Sequence, residues 1–298
     1  MHSLVESDVF APATPGTVLL GLVGAGIGAS RSPTMHMAEA AAQGFACEYR
    51  RLDLDVLGME LAAVLDRAQR AGFRGLNITH PAKQAVIPLL DDLSDEARAL
   101  GAVNTVVFED GPLGLKRIGH NTDASGFAAG FRLQLPDVGL GRVVQIGAGG
   151  AGAAVAHAVL AMGAGSLTLF DIDPARAAGL AANLNAHFGT GRAVAGTGLA
   201  DAVAVADGLV HATPTGMVKH PGLPLPAALL RPGLWVAEVV YVPIDTALVL
   251  AARAVGAPVA DGGGMAVFQA ADAFRHFTGR EPNLARMRTG FLASLAIA

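Results

Sequence analysis

The sequence predicts an α/β protein built from two domains, and three observations carry that expectation. Short apolar runs bounded by turn residues alternate with helix-patterned stretches from residue 18 onward. Hydrophobic residues make up 52% of the chain and charged residues 15%, the balance expected when parallel strands are covered on both faces. At 298 residues the chain is long enough for two separate cores. The expected division is an N-terminal α/β domain over residues 1–122, a doubly wound domain over 123–258, and C-terminal helices over 259–298 that return to the first domain.

Taken in order, Val18 to Gly24 reads as a strand and Pro33 to Gln43 as a helix that opens at its proline. Glu48 to Leu54 is expected as a strand, Met59 to Arg70 as a helix and Gly75 to Thr79 as a strand. Pro81 to Leu90 reads as a helix with proline in its first turn, and Ser94 as the N-cap of the next. Asn104 to Phe108 reads as a strand, followed by a turn at Asp110-Gly111-Pro112 that leads back toward Gly119. A helix is expected from Asp123. Beyond it, Arg142 to Ile146, Leu167 to Phe170, Val205 to Ala212 and Trp235 to Val240 read as strands of a βαβ series. Met265 to Thr278 and Asn283 to Ala296 read as two closing helices.

The most informative run is Gly147-Ala148-Gly149-Gly150-Ala151-Gly152, between the strand ending at Ile146 and an apolar helix from Ala153 to Met162. Gly147 permits a tight strand-to-helix turn, Gly149 lets a pyrophosphate approach the backbone, and Gly152 allows close helix–strand packing. The N–H groups and positive dipole end of the helix would hold the anion. Asp171 ends the next strand about 20 residues further on, where a carboxylate would meet an adenosine ribose. The set predicts a Rossmann-like dinucleotide site. A carboxylate there accepts from the ribose hydroxyls and repels a 2′-phosphate, so Asp171, with Asp173 beside it, predicts NAD. Arg176 could instead bind such a phosphate, or stack on adenine.

A second run, Gly24-Ala25-Gly26-Ile27-Gly28-Ala29, also follows a strand, but its helix is expected only from Pro33. A dinucleotide helix starts within the glycine motif itself, so this run reads as a substrate-facing turn carrying the Ser30 and Ser32 hydroxyls.

Further polar residues sit at strand ends. Lys83 falls in the first turn of the expected helix after Gly75 to Thr79. A cation there works against the partial positive charge of the helix N-terminus, which eases loss of its proton near neutral pH and suits an acid–base group. A solvated surface lysine is the plainer reading. Asp123 begins a helix, so N-capping is its plain reading and an Asp–Lys pair that orients a substrate hydroxyl the sharper one. His36, His80 and His120 lie beside these loops, each as readily packed and hydrogen-bonded as active.

Composition excludes other classes. A net charge of −4 without a basic run argues against nucleic acid. Residues 147–170 carry no formal charge and would nominally span a bilayer, but glycine and alanine make them too weakly hydrophobic. Met1 to Phe10 holds Glu6 and Asp8 with no basic start, so no secretory signal is expected. Cys47 is the only cysteine, which rules out an internal disulfide and suits the cytoplasm. The nine histidines lack metal-ligand spacing, and no metal is expected. Oligomeric state is not legible.

Ser30-Arg31-Ser32-Pro33-Thr34-Met35-His36, Asn77-Ile78-Thr79-His80-Pro81, Lys83, Gly101-Ala102-Val103-Asn104-Thr105 and Gly119-His120-Asn121-Thr122-Asp123 resemble the shikimate dehydrogenase family. So do Ala212-Thr213-Pro214-Thr215-Gly216-Met217, Tyr241-Val242-Pro243, and Met265 followed by Gln269. With Asp171, the chain is most similar to the family's NAD-dependent quinate/shikimate dehydrogenase branch. The resemblance implies that the first domain binds substrate: Ser30 and Ser32 its carboxylate, and Thr79, Asn104 and Gln269 its ring hydroxyls. Lys83 and Asp123 would be the catalytic pair, Lys83 taking the proton of the oxidised hydroxyl and Asp123 fixing that hydroxyl and stabilising the charged lysine. Gly147, Ala148, Gly149, Gly150, Ala151 and Gly152 with Asp171 would bind NAD, Thr213 and Met217 would line its nicotinamide side, and Tyr241 would border a cleft between the domains.

Two departures from the family pattern stand out. His211 occupies a position where the family usually carries Asn, so the loop after it is expected to be held differently. Ser32 is the residue usual in shikimate-selective members, where quinate users often have Thr, while Asp171 points to the NAD-linked, often catabolic branch. The implied activity is interconversion of shikimate and 3-dehydroshikimate, with quinate and 3-dehydroquinate as a second pair. An NADP-dependent biosynthetic enzyme, an aminoshikimate dehydrogenase and a non-catalytic nucleotide-binding sensor on the same fold are the alternatives.

Overall fold

The structure is a computed structural model that describes residues 9–111 and 114–295. The expected signal-free start at 1–8, Pro112 of the expected turn and Ala296 of the last helix lie outside the described residues. The chain forms two compact units, one of residues up to 122 with 270 onward, the other of 123–269.

The first unit is built on a six-stranded mixed sheet. Its strands are β1 (Val18–Gly24), β2 (Cys47–Asp53), β3 (Gly75–Ile78), β4 (Asp92–Leu93), β5 (Thr105–Gly111) and β6 (Gly114–His120), in the spatial order β2-β1-β3-β5-β6-β4. β1 runs parallel to β2 and β3, and β5 runs antiparallel to β3 and β6. Leu19, Leu20, Leu22 and Val23 of β1 are all buried, so the central strand reads as an unbroken apolar run rather than an alternating one. One face packs Leu52, Val64, Leu65, Leu76 and Phe108 together, and the other Leu20, Leu22, Val107 and Phe277. Gly75 makes that second face possible, since a Cβ there would overlap the Phe277 ring. The register aligns Arg51, Leu22, Asn77, Thr105 and His120 in one row across β2, β1, β3, β5 and β6. Residues just beyond that row therefore gather at one end of the sheet.

The expected helix from Pro81 to Leu90 is not continuous. Ala82–Ala85 makes a single α-turn and Ile87–Leu89 a 3₁₀ turn. Pro88 is the cause: it lacks an N–H and its ring would clash with the carbonyl four residues earlier. A four-residue helix carries little dipole, so the electrostatic argument about Lys83 loses its basis.

The second unit has six parallel strands: β7 (Arg142–Ile146), β8 (Ser166–Phe170), β9 (Ala193–Ala195), β10 (Gly208–His211), β11 (Trp235–Glu238) and β12 (Val259–Ala260). The order β12-β11-β10-β7-β8-β9 is that of a doubly wound dinucleotide-binding sheet, with the chain reversing direction between β7 and β10. Val144, Leu209, Leu234, Val236 and Leu248 form part of its core. Gly126 and Gly130 let the helix Asp123–Gln134 lie against the helix Gly262–Thr278; Cβ atoms there would come within 2.6 Å of Gln269 N and of Gly264 C. The boundary expected at residue 258 moves to 269, because β12 pairs with β11 and the first part of the helix 262–278 stays with it.

The C-terminal helix Leu284–Leu295 is tied to the first unit through Glu39, which accepts from Arg286 Nε and Nη2 at 2.7 Å each and from the Asn283 N–H at 2.9 Å. Burial alone would raise the Glu39 pKa, but Arg286, Asn283 and Gln43 outweigh it and hold the carboxyl below its ordinary value of 4.5. Arg286→Met should lower the unfolding free energy at pH 7, by less than the loss of a wholly buried pair because the Arg286 side chain is 42% exposed. With a depressed folded-state value, the wild-type advantage is complete above pH 4.5 and fades as pH falls through the lower folded value. Urea unfolding of both proteins at neutral and acid pH measures this; a difference that holds at acid pH would contradict it.

Candidate functional site

The glycine run after β7 has the shape that the residues predict. Gly147 adopts φ 107°, and a Cβ there would strike the Ala212 carbonyl. A Cβ on Gly152 would strike the Gly147 carbonyl, so both positions require glycine. At Gly149 a Cβ would meet nothing within 4 Å, which leaves the approach to the backbone open. The helix Gly150–Ala161 starts inside the run, with Gly149 as N-cap and no side chain on its leading N–H groups. Gly150 and Ala151 make its first turn. Gln145, wholly buried in β7, clamps the loop by donating to the Gly147 and Gly152 carbonyls at 2.8 Å each.

Asp171 follows β8 directly. Its carboxylate accepts the Ala148 N–H at 2.7 Å and the Asp173 N–H at 3.0 Å. A carboxylate offers about four acceptor sites, so capacity remains for hydroxyl donors. Arg176 lies 3.5 Å from Asp171 and 4.0 Å from Asp173, with its side chain 52% exposed. It is thus engaged by both acids, a pairing that neither sequence reading of it included.

Across the reversal point, β10 leads to Thr213, whose Cγ2 would lie 2.9 Å from a Cβ on Gly147. Thr213 therefore flanks the glycine loop. The turn continues through exposed Met217, with the Gly216 N–H donating to the His220 carbonyl at 2.6 Å. His211 is wholly buried and hydrogen-bonded to both Glu238 and Thr213. Tyr241 follows β11, and Gln269 lies on the helix 262–278, donating to the Ala266 carbonyl at 3.0 Å.

In the first unit, the polar residues collect beyond the ends of β1, β3 and β6 and the start of β5. The Ser30 and Ser32 hydroxyls are 3.4 Å apart. Thr79 sits against the end of β1, where its methyl fills the space that a Gly24 side chain would need. Lys83 is half-buried on the one-turn helix after β3, with its carbonyl accepting the Val103 N–H at 2.8 Å. Asn104 is buried and bound on both sides of its amide: Oδ1 accepts the Thr122 N–H at 2.8 Å and the Thr105 hydroxyl at 3.0 Å, and Nδ2 donates to Thr122 Oγ1 at 3.0 Å. Behind it, buried Tyr49 donates to Asn77 Oδ1 at 2.7 Å, and Asn77 Nδ2 donates to Thr105 Oγ1 at 3.2 Å. Asp123, 5% exposed, begins the helix of the second unit directly after Thr122.

The glycine loop after β1 is closed to anions. Asp53 at the end of β2 accepts the Gly26 N–H at 3.2 Å and the Ile27 N–H at 2.9 Å, and the next α-helix begins only at Ser32. Of the three candidate histidines, His36 is packed among Tyr49, Phe274 and Phe277, and burial lowers its pKa to about 3. His120 stacks on His276 at 4.0 Å; burial and that neighbour lower its pKa to about 4. His80 is exposed. Neither His36 nor His120 is placed to carry charge near pH 7.

Asn77, Gln145 and Glu238 are the contributors that motif reading left without a role. Their signal in the sequence is a polar residue within or at the end of a mostly apolar strand.

Known proteins fit this arrangement closely. Residues 22–106 match the model for the shikimate dehydrogenase substrate binding domain, and 262–289 the model for the shikimate 5′-dehydrogenase C-terminal domain. A shikimate dehydrogenase (NADP(+)) of Streptomyces avermitilis is 61% identical over 92% of this chain and 94% of its own length. The chain belongs to the shikimate dehydrogenase family. Another family member, the quinate/shikimate dehydrogenase (NAD(+)) of Corynebacterium efficiens, is 51% identical over 93% of this chain and 98% of its own. A solved quinate dehydrogenase from Corynebacterium glutamicum in complex with NAD superposes with a TM-score of 0.89 at 49% identity, over 93% of this chain and 99% of that one. Among the described residues no helix is long and apolar enough to cross a membrane.

The glycine geometry separates stability from binding in this family member. Gly149 has φ −76° and ψ −169°, which alanine adopts without strain, so Gly149→Ala should leave Tm unchanged or slightly raised while lowering dinucleotide affinity at least about tenfold. Gly152→Ala should lower Tm, because its Cβ must displace backbone. Thermal melts with a dinucleotide titration test both, and an unaltered affinity in Gly149→Ala would show that this loop is not the anion cradle.

Proposed function

We propose that the chain is an NAD-dependent oxidoreductase interconverting shikimate and 3-dehydroshikimate, with quinate and 3-dehydroquinate as a second, less favoured pair. The observation that carries the cofactor choice is Asp171, anchored on the glycine loop through the Ala148 N–H at the end of β8. Residues 147–152 would hold the pyrophosphate on open N–H groups, and Asp171 would accept from the ribose hydroxyls. When bound, the nicotinamide supplies the acceptor or donor of the hydride; Thr213 and Met217 would line that end, with Tyr241 bordering the substrate.

On the substrate side, the converging Ser30 and Ser32 hydroxyls suit a carboxylate, which needs donors close together. Thr79, Asn104 and Gln269 would bind ring hydroxyls. Asn104 suits this because its carboxamide is fixed from both sides, so little ordering remains to be done on binding. Lys83, half-buried, would take the proton from the hydroxyl being oxidised and return it in reduction. Asp123 would orient that hydroxyl and stabilise the ammonium form of Lys83. Ser32 supports shikimate over quinate, since the extra methyl of threonine would reshape the carboxylate end of the pocket.

A second reading, an NADP-dependent enzyme, draws on Arg176. Its guanidinium is half-exposed, its pair with Asp173 is a long surface contact at 4.0 Å and that with Asp171 is 3.5 Å long, and the 61% identical relative is named for NADP(+). Steady-state assays with both substrates and both cofactors separate the two. The expected result is a kcat/KM for NAD at least about tenfold above that for NADP, with shikimate preferred over quinate. Asp171→Asn should lose NAD efficiency and gain NADP efficiency, because the repulsive element is removed along with the attractive one. Equal use of both cofactors by the wild type would overturn the assignment.

Lys83→Ala tests the chemistry separately. Loss of an acid–base group should lower kcat by roughly 100-fold or more, with a smaller effect on substrate binding while Ser30 and Ser32 remain. Near-normal turnover would remove Lys83 from proton transfer, and no turnover by the wild type with either substrate would favour a nucleotide-binding sensor.

A further inference from the structure

The ends of β10 and β11 carry a buried polar chain that the reaction as proposed does not use. His211 and Glu238 are register partners on these adjacent strands, and both side chains are wholly buried. His211 Nδ1 lies 2.8 Å from Glu238 Oε1, and His211 Nε2 lies 2.5 Å from Thr213 Oγ1. The Glu238 carboxylate also accepts the Val239 N–H at 2.9 Å, the Val240 N–H at 3.0 Å and the Thr246 hydroxyl at 3.0 Å. With donors converging on it from every side, Glu238 is the acceptor throughout and His211 Nδ1 carries a proton. In the tautomer that carries its proton on Nδ1 alone, Nε2 is an acceptor and the Thr213 hydroxyl donates to it. Thr213 Oγ1 already accepts the Thr215 N–H at 3.2 Å. In that tautomer the hydrogen of Thr213 is spent on His211, and toward a ligand this hydroxyl acts as an acceptor.

The chain grips the loop at two points. One is Thr213, which flanks the glycine run at Gly147. The other is Thr246, whose Cβ would lie 3.3 Å from a Cβ on Gly216. A loop held at both points by one buried carboxylate has a fixed position beside the point where the sheet reverses, which is where doubly wound sheets bind their ligands.

We infer that the Glu238–His211 pair is a positioning device for the nicotinamide end of the cofactor: it orients Thr213 as a hydrogen-bond acceptor for an amide N–H2 donor, the carboxamide group of the ring. Glu238 and His211 touch no ligand and act through Thr213. The inference rests on the reading of residues 147–152 as a dinucleotide site.

Binding of NAD and of ADP-ribose, which lacks the nicotinamide, separates this role from a structural one. Where the wild type prefers NADP, NADP and 2′-phospho-ADP-ribose replace them. His211→Asn should weaken NAD binding by roughly tenfold, the scale of one lost hydrogen bond, and leave ADP-ribose within about twofold. Thr213→Val should do the same, and the double variant should be no worse than the more affected single one, since all three break the same link. Thr213 is on a partly exposed loop, so its variant carries the test if His211→Asn fails to fold. Parallel losses for NAD and ADP-ribose, or additive effects of the two substitutions, would overturn the inference. A wild type that binds neither ligand would overturn the dinucleotide reading itself, and this inference with it.

Discussion

A polar side chain buried at the end of an apolar strand must find a hydrogen-bond partner, and in this protein the partners are the loops that hold the candidate chemistry. Gln145 in β7 binds two carbonyls of the glycine run. Asn77 in β3 is fixed by Tyr49 and in turn binds Thr105, which binds Asn104. His211 at the end of β10 binds Thr213. In each case the apolar strand supplies the rigid mount, and the cost of leaving a buried donor or acceptor unpaired, about 1–3 kcal/mol each, fixes the loop. Loops tied in this way are positioned by the core without being part of it.

The same constraint explains what could be read from the sequence. The doubly wound sheet and its glycine loop were legible because each glycine answers to a local steric need: Gly147 to its φ of 107° and Gly152 to the adjacent carbonyl. The clustering of Ser30, Thr79 and Asn104 was legible as polar residues following or preceding apolar runs. The networks behind them were not, since their partners lie far apart in sequence: Tyr49 and Asn77 are separated by 28 positions, His211 and Glu238 by 27. Nothing local distinguishes a glutamate that will accept from four donors from one that will face water. The two-residue strands β4 and β12 are too short for any period to show, and the displaced boundary at 269 follows from β12. Pro88 is a different matter: its effect on the Lys83 helix was written in the chain, and a helix pattern read without it was too long.

The contrast between the two glycine loops shows why a motif needs its surroundings. Each follows a buried strand, and each stands beside an aspartate at the end of the neighbouring parallel strand, Asp53 in the first unit and Asp171 in the second. In the first, Asp53 takes the N–H groups of Gly26 and Ile27, and Asp55 N–H as well, so the carboxylate has already taken the place of an anion. Only a three-residue 3₁₀ turn, Ile27–Ala29, starts within the run, its Ile27 N–H is taken by Asp53, and the α-helix begins several residues later. In the second, Asp171 takes only Ala148 from the loop, and the helix begins at Gly150 with no capping side chain. One loop is neutralised by its own protein and serves to carry Ser30 toward Ser32. The other leaves the start of its helix without a capping side chain. What sets the two apart is where the helix starts relative to the glycines, because that decides whether the protein or a bound phosphate must satisfy the first N–H groups.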